Sequence, residues 1–337
     1  MTKKILVLGP AWVGDMMMAQ VLFKLLVQQQ ADVHIDVVAP PHSGPMVTRM
    51  PEIQRFIPLA IKHGEFNGRA RLQMAKQLRQ THYDQAIVCP NSWKSALIPL
   101  LARIPVRTGW RGEWRYGLLT DLRILDKKTM PLMIQRYAAL AFENKAILPR
   151  ELPWPALSID ADSVARSLQS VSLAPPTQPV LALCPGAEFG EAKRWPAKYY
   201  AQVAKQKLDQ GYAVWLFGSP KEQADAAEIM QLTDQRCVDL TGKTQLTQAI
   251  DLMSLSHCVV SNDSGLMHIA AALGKPLVAI YGSSSPFFTP PLGDKVKIVR
   301  LGLPCSPCFQ RVCPLGHLKC LNDLKPEMVL DALLGVE

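Results

Sequence analysis

The stretch from Cys258 to Gly274 constrains the fold more than any other. Cys258-Val259-Val260 is a short β-branched run suited to a buried strand. After it come the polar turn Ser261-Asn262-Asp263-Ser264-Gly265-Leu266-Met267-His268 and a helical run, Ile269-Ala270-Ala271-Ala272-Leu273, that Gly274 can end. A turn from strand into helix aims free backbone N–H groups and the positive end of the helix dipole at one spot. Ser264 and Gly265 let an anion come close to that backbone, so the spot suits a phosphate. Asp263, itself an anion, is suited to taking a hydroxyl or orienting the turn. An ordinary helix capped by Asp263 or Ser264 has the same local sequence, so the rest of the chain has to decide.

A chain of 337 residues is long for one core and about right for two domains. Its apolar stretches are broken well before the ~18 residues a membrane span needs. Met1-Thr2-Lys3-Lys4 followed by Ile5-Leu6-Val7-Leu8 imitates a signal peptide. The apolar run stops at Gly9-Pro10, however, and Asp15 follows, so a first β-strand and a cytoplasmic protein are expected. The net charge of +9, from 37 basic and 28 acidic side chains, calls for an anionic partner: nucleic acid, a membrane surface or a charged substrate. No nucleic-acid motif is visible, so no nucleic-acid partner is expected. Cys89, Cys184, Cys237 and Cys258 lie singly in apolar surroundings, as small buried thiols do.

Residues 4–8 read as a strand, Gly9-Pro10-Ala11-Trp12-Val13-Gly14-Asp15 as a tight loop and residues 16–28 as an apolar-rich helix. This opening is Rossmann-like but lacks G-x-G-x-x-G and a suitably spaced acidic ribose ligand, which argues against a dinucleotide. Asp15 falls at the carboxyl end of the first strand, where open parallel sheets place ligands. It can act as a general base on a hydroxyl within reach, or cap the helix. Strand-like runs at 34–39, 54–57 and 85–89 alternate with helical patterns, including a basic one at 69–80, and imply a parallel α/β sheet. Asn91-Ser92-Trp93-Lys94-Ser95 follows the fourth strand. Next, residues 107–117 place Arg107, Arg111 and Arg115 among Trp110, Trp114 and Tyr116 in what reads as one loop. Arginine forks and aromatic faces suit an anionic glycan, although a solvated loop with snorkelling arginines has the same composition.

Prolines thicken between Leu148 and Pro179, as in a linker, with a short helical segment from Ser163 to Ser170 inside it. The expected organisation is a first domain at 1–160, a linker at 161–178, a second domain at 179–325 and a last helix at 326–337 that folds back on the first domain. Asp160-Ala161-Asp162 spells D-x-D, but no strand flanks it, and chance explains it. The α/β alternation restarts with a strand at 179–183. A loop containing Gly186 and ending in Lys193 and Arg194 follows, with the parts for a diphosphate: mobile backbone and cations. Two further polar loops, Gly218-Ser219-Pro220 and Gly282-Ser283-Ser284-Ser285-Pro286, end later strands. Together with the Ser261–His268 turn they converge on one edge, as a nucleotide site requires. Cys305, Cys308, Cys313 and Cys320, with His317 among them, could give a thiolate tetrahedron for structural zinc, reduced thiols packing a loop, or a disulfide.

Five blocks jointly resemble the ADP-heptose:lipopolysaccharide heptosyltransferases of glycosyltransferase family nine, and within them the type II enzymes. They are Gly9-Pro10-Ala11-Trp12-Val13-Gly14-Asp15-Met16-Met17-Met18, Asn91-Ser92-Trp93-Lys94-Ser95, Arg107-Thr108-Gly109-Trp110-Arg111-Gly112, Cys184-Pro185-Gly186-Ala187-Glu188-Phe189-Gly190 with Lys193-Arg194-Trp195-Pro196, and Asn262-Asp263-Ser264-Gly265-Leu266-Met267-His268. The resemblance implies a GT-B architecture, two Rossmann-like domains with parallel sheets facing a cleft. It also implies ADP-heptose as donor, the heptose-bearing lipopolysaccharide inner core as acceptor, and inversion without a metal or other cofactor. Asp15 becomes the general base. Lys193, Arg194 and the amides of Ser264 and Gly265 become the groups that stabilise departing ADP, and Asp263 and His268 match donor-site positions. Gly186, Gly218 and Ser219 belong to the donor loops by our own reading, as Asn91, Lys94, Arg107, Arg111 and Arg115 belong to the acceptor. The basic balance fits peripheral attachment to the anionic inner face of an inner membrane.

Overall fold

The computed structural model describes residues 2–61 and 64–336 and divides into two compact units, Met1–Pro155 and Ala156–Glu337. In the first, β1 (Lys3–Leu8) leads into α1 (Val13–Gln29), β2 (Val33–Ala39), the short α2 (Gly44–Val47) and β3 (Arg55–Pro58). After these come α3 (Gly68–Arg79), β4 (Gln85–Val88), α4 (Trp93–Leu101), β5 (Val106–Trp110), β6 (Asp121–Arg123) and α5 (Met133–Ala138). The strands form one parallel sheet in the order β3-β2-β1-β4-β5-β6. α1 is apolar around most of its circumference. Met16, Met17, Met18, Leu22 and Phe23 are all buried, because the sheet lies on one side and α5 packs on another.

The second unit runs α6 (Ala161–Ser170), β7 (Val180–Cys184), α7 (Ala197–Asp209), β8 (Ala213–Leu216), α8 (Gln223–Leu232), β9 (Val238–Asp239) and α9 (Leu246–Met253). It continues with β10 (Cys258–Asn262), α10 (Gly265–Ala272), β11 (Leu277–Ile280), β12 (Val296–Val299), α11 (Lys319–Asn322) and α12 (Pro326–Leu334). Its parallel sheet has the order β12-β11-β10-β7-β8-β9. Counted within each unit, both sheets are wound 3-2-1-4-5-6. The chain reverses direction across the sheet between β1 and β4 in one unit and between β7 and β10 in the other, and such switch points open a crevice at the carboxyl ends of the strands. The fold therefore marks two places for ligands, one per unit.

The residues expected as a linker and the last helix both fall within the second unit. Residues 161–178 are not a free linker: α6 packs on α9, and the hydroxyls of Ser163 and Ser167 donate to the buried Asp251 carboxylate at 2.7 and 2.8 Å. The proline content reflects extended backbone on either side of that helix. Likewise α12 belongs to the second unit, where Val329 and Leu333 are buried in the same core as Trp195, Val260 and Ile280. Asp160, half of the D-x-D pattern, caps α6 by accepting from the N–H groups of Asp162 and Ser163.

Candidate functional site

At the switch point of the first sheet lies a cavity of about 570 Å³. Asp15 stands on its wall from the first turn of α1, where Trp12 takes the N-cap position. Asp15 is thus the third residue of the helix and does not occupy the N-cap position. Cys89 and Tyr137 share the wall. Burial pushes the Cys89 thiol up to about 12 and the Tyr137 phenol well above its ordinary value, and in each case the nearby negative charge of Asp15 adds to the rise. Asp15 therefore sits among groups that keep their protons. Asn91 and Lys94, following β4 across the switch point, line the same cavity, with the Lys94 ammonium donating to the Gly64 carbonyl at 2.7 Å.

Of the three arginines expected beside them, the structure leaves one at this edge with its side chain exposed. Arg107 is inside β5, in register with Ala86 and through it with Leu6, so it lies below the carboxyl edge. Its guanidinium donates to the carbonyls of Leu118 and Ile104 at 2.8 and 2.7 Å. Arg115 is fully buried, and its guanidinium donates to the carbonyls of Pro90 and Trp110 and to the Asn91 side chain. It braces the Asn91 loop from within. Arg111 immediately follows β5 and is exposed. Sequence reasoning missed Arg136 and Tyr137, which reach the cavity from α5. Nothing in that short helix's sequence marks it as part of a site.

The second switch point gathers the β7–α7 loop and the start of α10. Lys193 donates to the Asp263 carboxylate at 2.6 Å, with the two side chains 17% and 5% exposed. Asn262 ties the loops together. Its oxygen accepts from the Trp195 N–H at 3.1 Å and the Tyr200 hydroxyl at 3.0 Å, and its amide donates to the Pro185 carbonyl at 2.5 Å. Ser264 occupies the N-cap of α10 but makes no side-chain cap bond, its hydroxyl lying 3.3 Å from that of Ser261. The first-turn amides from Gly265 onward thus keep their capacity for an anion. His268, one turn on, is buried, and burial lowers its pKa to about 4, with Asp263 opposing and Lys193 assisting. It is neutral near pH 7.

A further loop follows β8. A Cβ on Gly186 would stand 2.7 Å from the Glu222 side chain, and one on Gly218 would stand 3.1 Å from both Glu222 and Thr241, so both glycines permit a close approach around Glu222. Ser219 and Glu222 form a capping box: the carboxylate accepts from the Ser219 N–H at 2.8 Å and hydroxyl at 2.7 Å. Arg194 lies between Glu222 at 3.5 Å and Asp225 at 3.6 Å. Glu222 went unremarked at the level of sequence, although S-x-x-E spells its cap.

Structural zinc is one of the three readings of the four cysteines. Among the described residues, no three His, Cys, Asp or Glu side chains form a group able to hold a metal ion. Cys305 is exposed and Cys308, Cys313 and Cys320 are half-buried, all four free. Burial raises the Cys320 thiol, and the other three thiols add to the rise. They are neighbours that do not converge on a common centre.

The profile of glycosyltransferase family 9 (heptosyltransferase) matches residues 71–319, a span that includes both the Asn91 loop and the α10 turn. The chain belongs to this family. Its two Rossmann-type sheets are those of the GT-B class. Among family 9 relatives, lipopolysaccharide heptosyltransferase 2 of Escherichia coli K12 is 46% identical over 339 aligned residues, 98% of this chain and 97% of the relative. Lipooligosaccharide heptosyltransferase 2 of Haemophilus ducreyi is 48% identical, with 98% of each chain covered. The solved structure of E. coli ADP-heptose lipopolysaccharide heptosyltransferase II superimposes with a TM-score of 0.87 at 45% identity, covering 99% of this chain and 98% of that one.

Proposed function

We propose that this glycosyltransferase is a type II lipopolysaccharide heptosyltransferase, which moves L-glycero-D-manno-heptose from ADP-heptose to the first heptose of the lipopolysaccharide inner core. The observation that carries the reading is the second switch point, where Lys193, Asp263 and the uncapped amides of α10 meet the glycine-lined loops. Similarity over 98% of the chain to type 2 relatives, and to the ADP-heptose lipopolysaccharide heptosyltransferase II structure, supports the substrate pair. The diphosphate sits against Lys193 and the α10 amides, and Asp263 and the neutral His268 take donor hydroxyls. Asn91, Lys94 and Arg111 face the acceptor.

The Asp15 carboxylate accepts the proton of the acceptor hydroxyl as its oxygen forms a bond to the anomeric carbon. The bond from that carbon to the diphosphate oxygen breaks, and ADP departs with the electron pair. Lys193 and the amides stabilise the charge that develops on it. One displacement inverts the anomeric centre, and none of these steps calls on a metal.

The acceptor is lipid-anchored, and the first unit carries a surface suited to the cytoplasmic face of an anionic membrane. Trp114 is 86% exposed, Tyr116 61% and Ile124 67%, with Arg111, Lys127 and Lys128 exposed beside them in sequence. No helix among the described residues is long and apolar enough to cross a membrane, and attachment is peripheral.

Transfer from ADP-heptose to purified acceptors carrying no heptose or one heptose, with ADP release and product mass followed together, tests the reading. Product on the one-heptose acceptor alone is expected. Product on the heptose-free acceptor alone would assign type I activity. In the same assay, Asp15→Asn should lower kcat about 10²- to 10⁴-fold with ADP affinity unchanged. Near-normal turnover would remove Asp15 as the base.

A further inference from the structure

A diphosphate brings at least two negative charges, and the two basic residues of the β7–α7 loop already share their charge with carboxylates. Lys193 is paired with Asp263, and Arg194 lies between Glu222 and Asp225. A third cation reaches the same loop from the cysteine-bearing segment. The guanidinium of Arg311 lies 5.3 Å from the centroid of the Phe189 ring, the ring that the Lys193 ammonium approaches to 5.0 Å. Arg311 is exposed, and among the described residues its guanidinium has no carboxylate partner.

The backbone holds it there. The Ala192 N–H donates to the Arg311 carbonyl at 3.1 Å, the Phe309 N–H to the Ser283 carbonyl at 2.7 Å and the Ser306 hydroxyl to the Gly282 carbonyl at 2.6 Å. A Cβ on Gly190 would stand 2.5 Å from the Arg311 carbonyl oxygen, so this contact requires glycine. The segment is thus fastened to two of the loops that end strands at the second switch point. Its one cation at the junction is unneutralised.

We propose that Arg311 is a donor-binding residue that takes a phosphate oxygen of the nucleoside diphosphate, with Phe189 as the platform that aims it. This rests on the reading of the second switch point as the diphosphate site. A planar guanidinium fork suits phosphate, and stacking on an aromatic face fixes its plane without consuming its N–H donors. The cysteine-bearing segment, which the chemistry at Asp15 leaves without a task, is then the part of the fold that delivers this charge.

The test is the affinity of the full-length chain for ADP and for adenosine, measured by calorimetry on the unaltered protein and on Arg311→Ala, Arg311→Lys and Phe189→Leu. Arg311→Ala is expected to weaken ADP about ten- to a hundredfold, as loss of a hydrogen bond to a charged group does, while adenosine binding stays within twofold. Arg311→Lys should recover part of the loss, and Phe189→Leu should show a smaller loss for ADP alone. ADP affinity of Arg311→Ala within twofold of the unaltered protein, or equal losses for ADP and adenosine, would overturn the proposal and leave the donor site standing. An unaltered chain that fails to bind ADP would remove the donor site and this proposal with it.

Discussion

The Lys193 ammonium and the Asp263 carboxylate, 70 residues apart in sequence, meet at 2.6 Å and join the β7–α7 loop to the start of α10. On the proposed reading, the pair lets an acidic residue stand at the mouth of an anion site: its charge is offset in place, and the α10 amides add to the attraction. Asp263 is 5% exposed, so it depends on this partner more than Lys193 does. Lys193→Met should therefore cost roughly 2–3 kcal/mol of stability, below the range for breaking a fully buried pair because Lys193 retains some solvent. It should also weaken ADP binding about tenfold or more. Asp263→Asn should cost less stability, since the freed ammonium can hydrate. Equal destabilisation by the two variants in urea titrations would contradict this asymmetry.

Asn262 carries a different load. It makes three hydrogen bonds, to Trp195, Tyr200 and Pro185, with none of its own side chain exposed. Asn262→Ala strands the Trp195 N–H and the Pro185 carbonyl in a dry setting, and a loss of about 2–4 kcal/mol is expected. Asn262→Asp keeps the acceptor but turns the amide donor toward Pro185 into a second acceptor, so it should not rescue. Thermal unfolding of the two variants checks both points. A shift under a few degrees for Asn262→Ala would mean that the loops hold together without it.

The sequence made the second site more legible than the first, for a physical reason. Ser261–His268 forms its strand, turn and helix from adjacent residues, and Lys193 lies at the end of a glycine-bearing loop, so local pattern and chain order alone place both at one sheet edge. The arginine-rich stretch misled because three residues four apart look alike in sequence but meet different depths of the fold. Arg107 lies in register with Leu6, Arg115 is folded under the Asn91 loop, and Arg111 reaches solvent. Arg136, Tyr137 and Arg311 could not be read, since tertiary packing alone brings α5 and the cysteine-bearing segment to these places.

At the membrane, Trp114 and Tyr116 are expected to act on presentation of the acceptor and not on chemistry. The double variant Trp114→Ala/Tyr116→Ala should bind vesicles containing anionic phospholipid several-fold more weakly in sedimentation. It should also lose kcat/KM on lipid-anchored acceptor and keep it on a deacylated, water-soluble acceptor. The exposed rings support nothing in the core, so melting should be unchanged within about 0.5 kcal/mol. Equal loss on both acceptors would place the rings against the glycan instead of the bilayer.

His268 gives the fold an acid sensitivity that can be read separately from catalysis. Burial holds its folded-state pKa near 4, against an ordinary value of 6.5. Between those values the unfolded chain binds a proton that the folded chain refuses, so stability falls as pH drops through the window. The cost is absent above about pH 7, reaches about 2 kcal/mol by pH 5 and levels near 3 kcal/mol below pH 4. Other carboxylates titrate in the same range, which makes the difference between the unaltered protein and His268→Gln the informative quantity. That difference should shift in favour of the variant by about 2 kcal/mol on going from pH 7.5 to pH 5 in urea titrations, whatever offset the lost packing imposes at both values. A difference independent of pH would mean that the imidazole is solvated in solution and free to ionise, and His268 would then enter the donor site as a cation below its ordinary pKa.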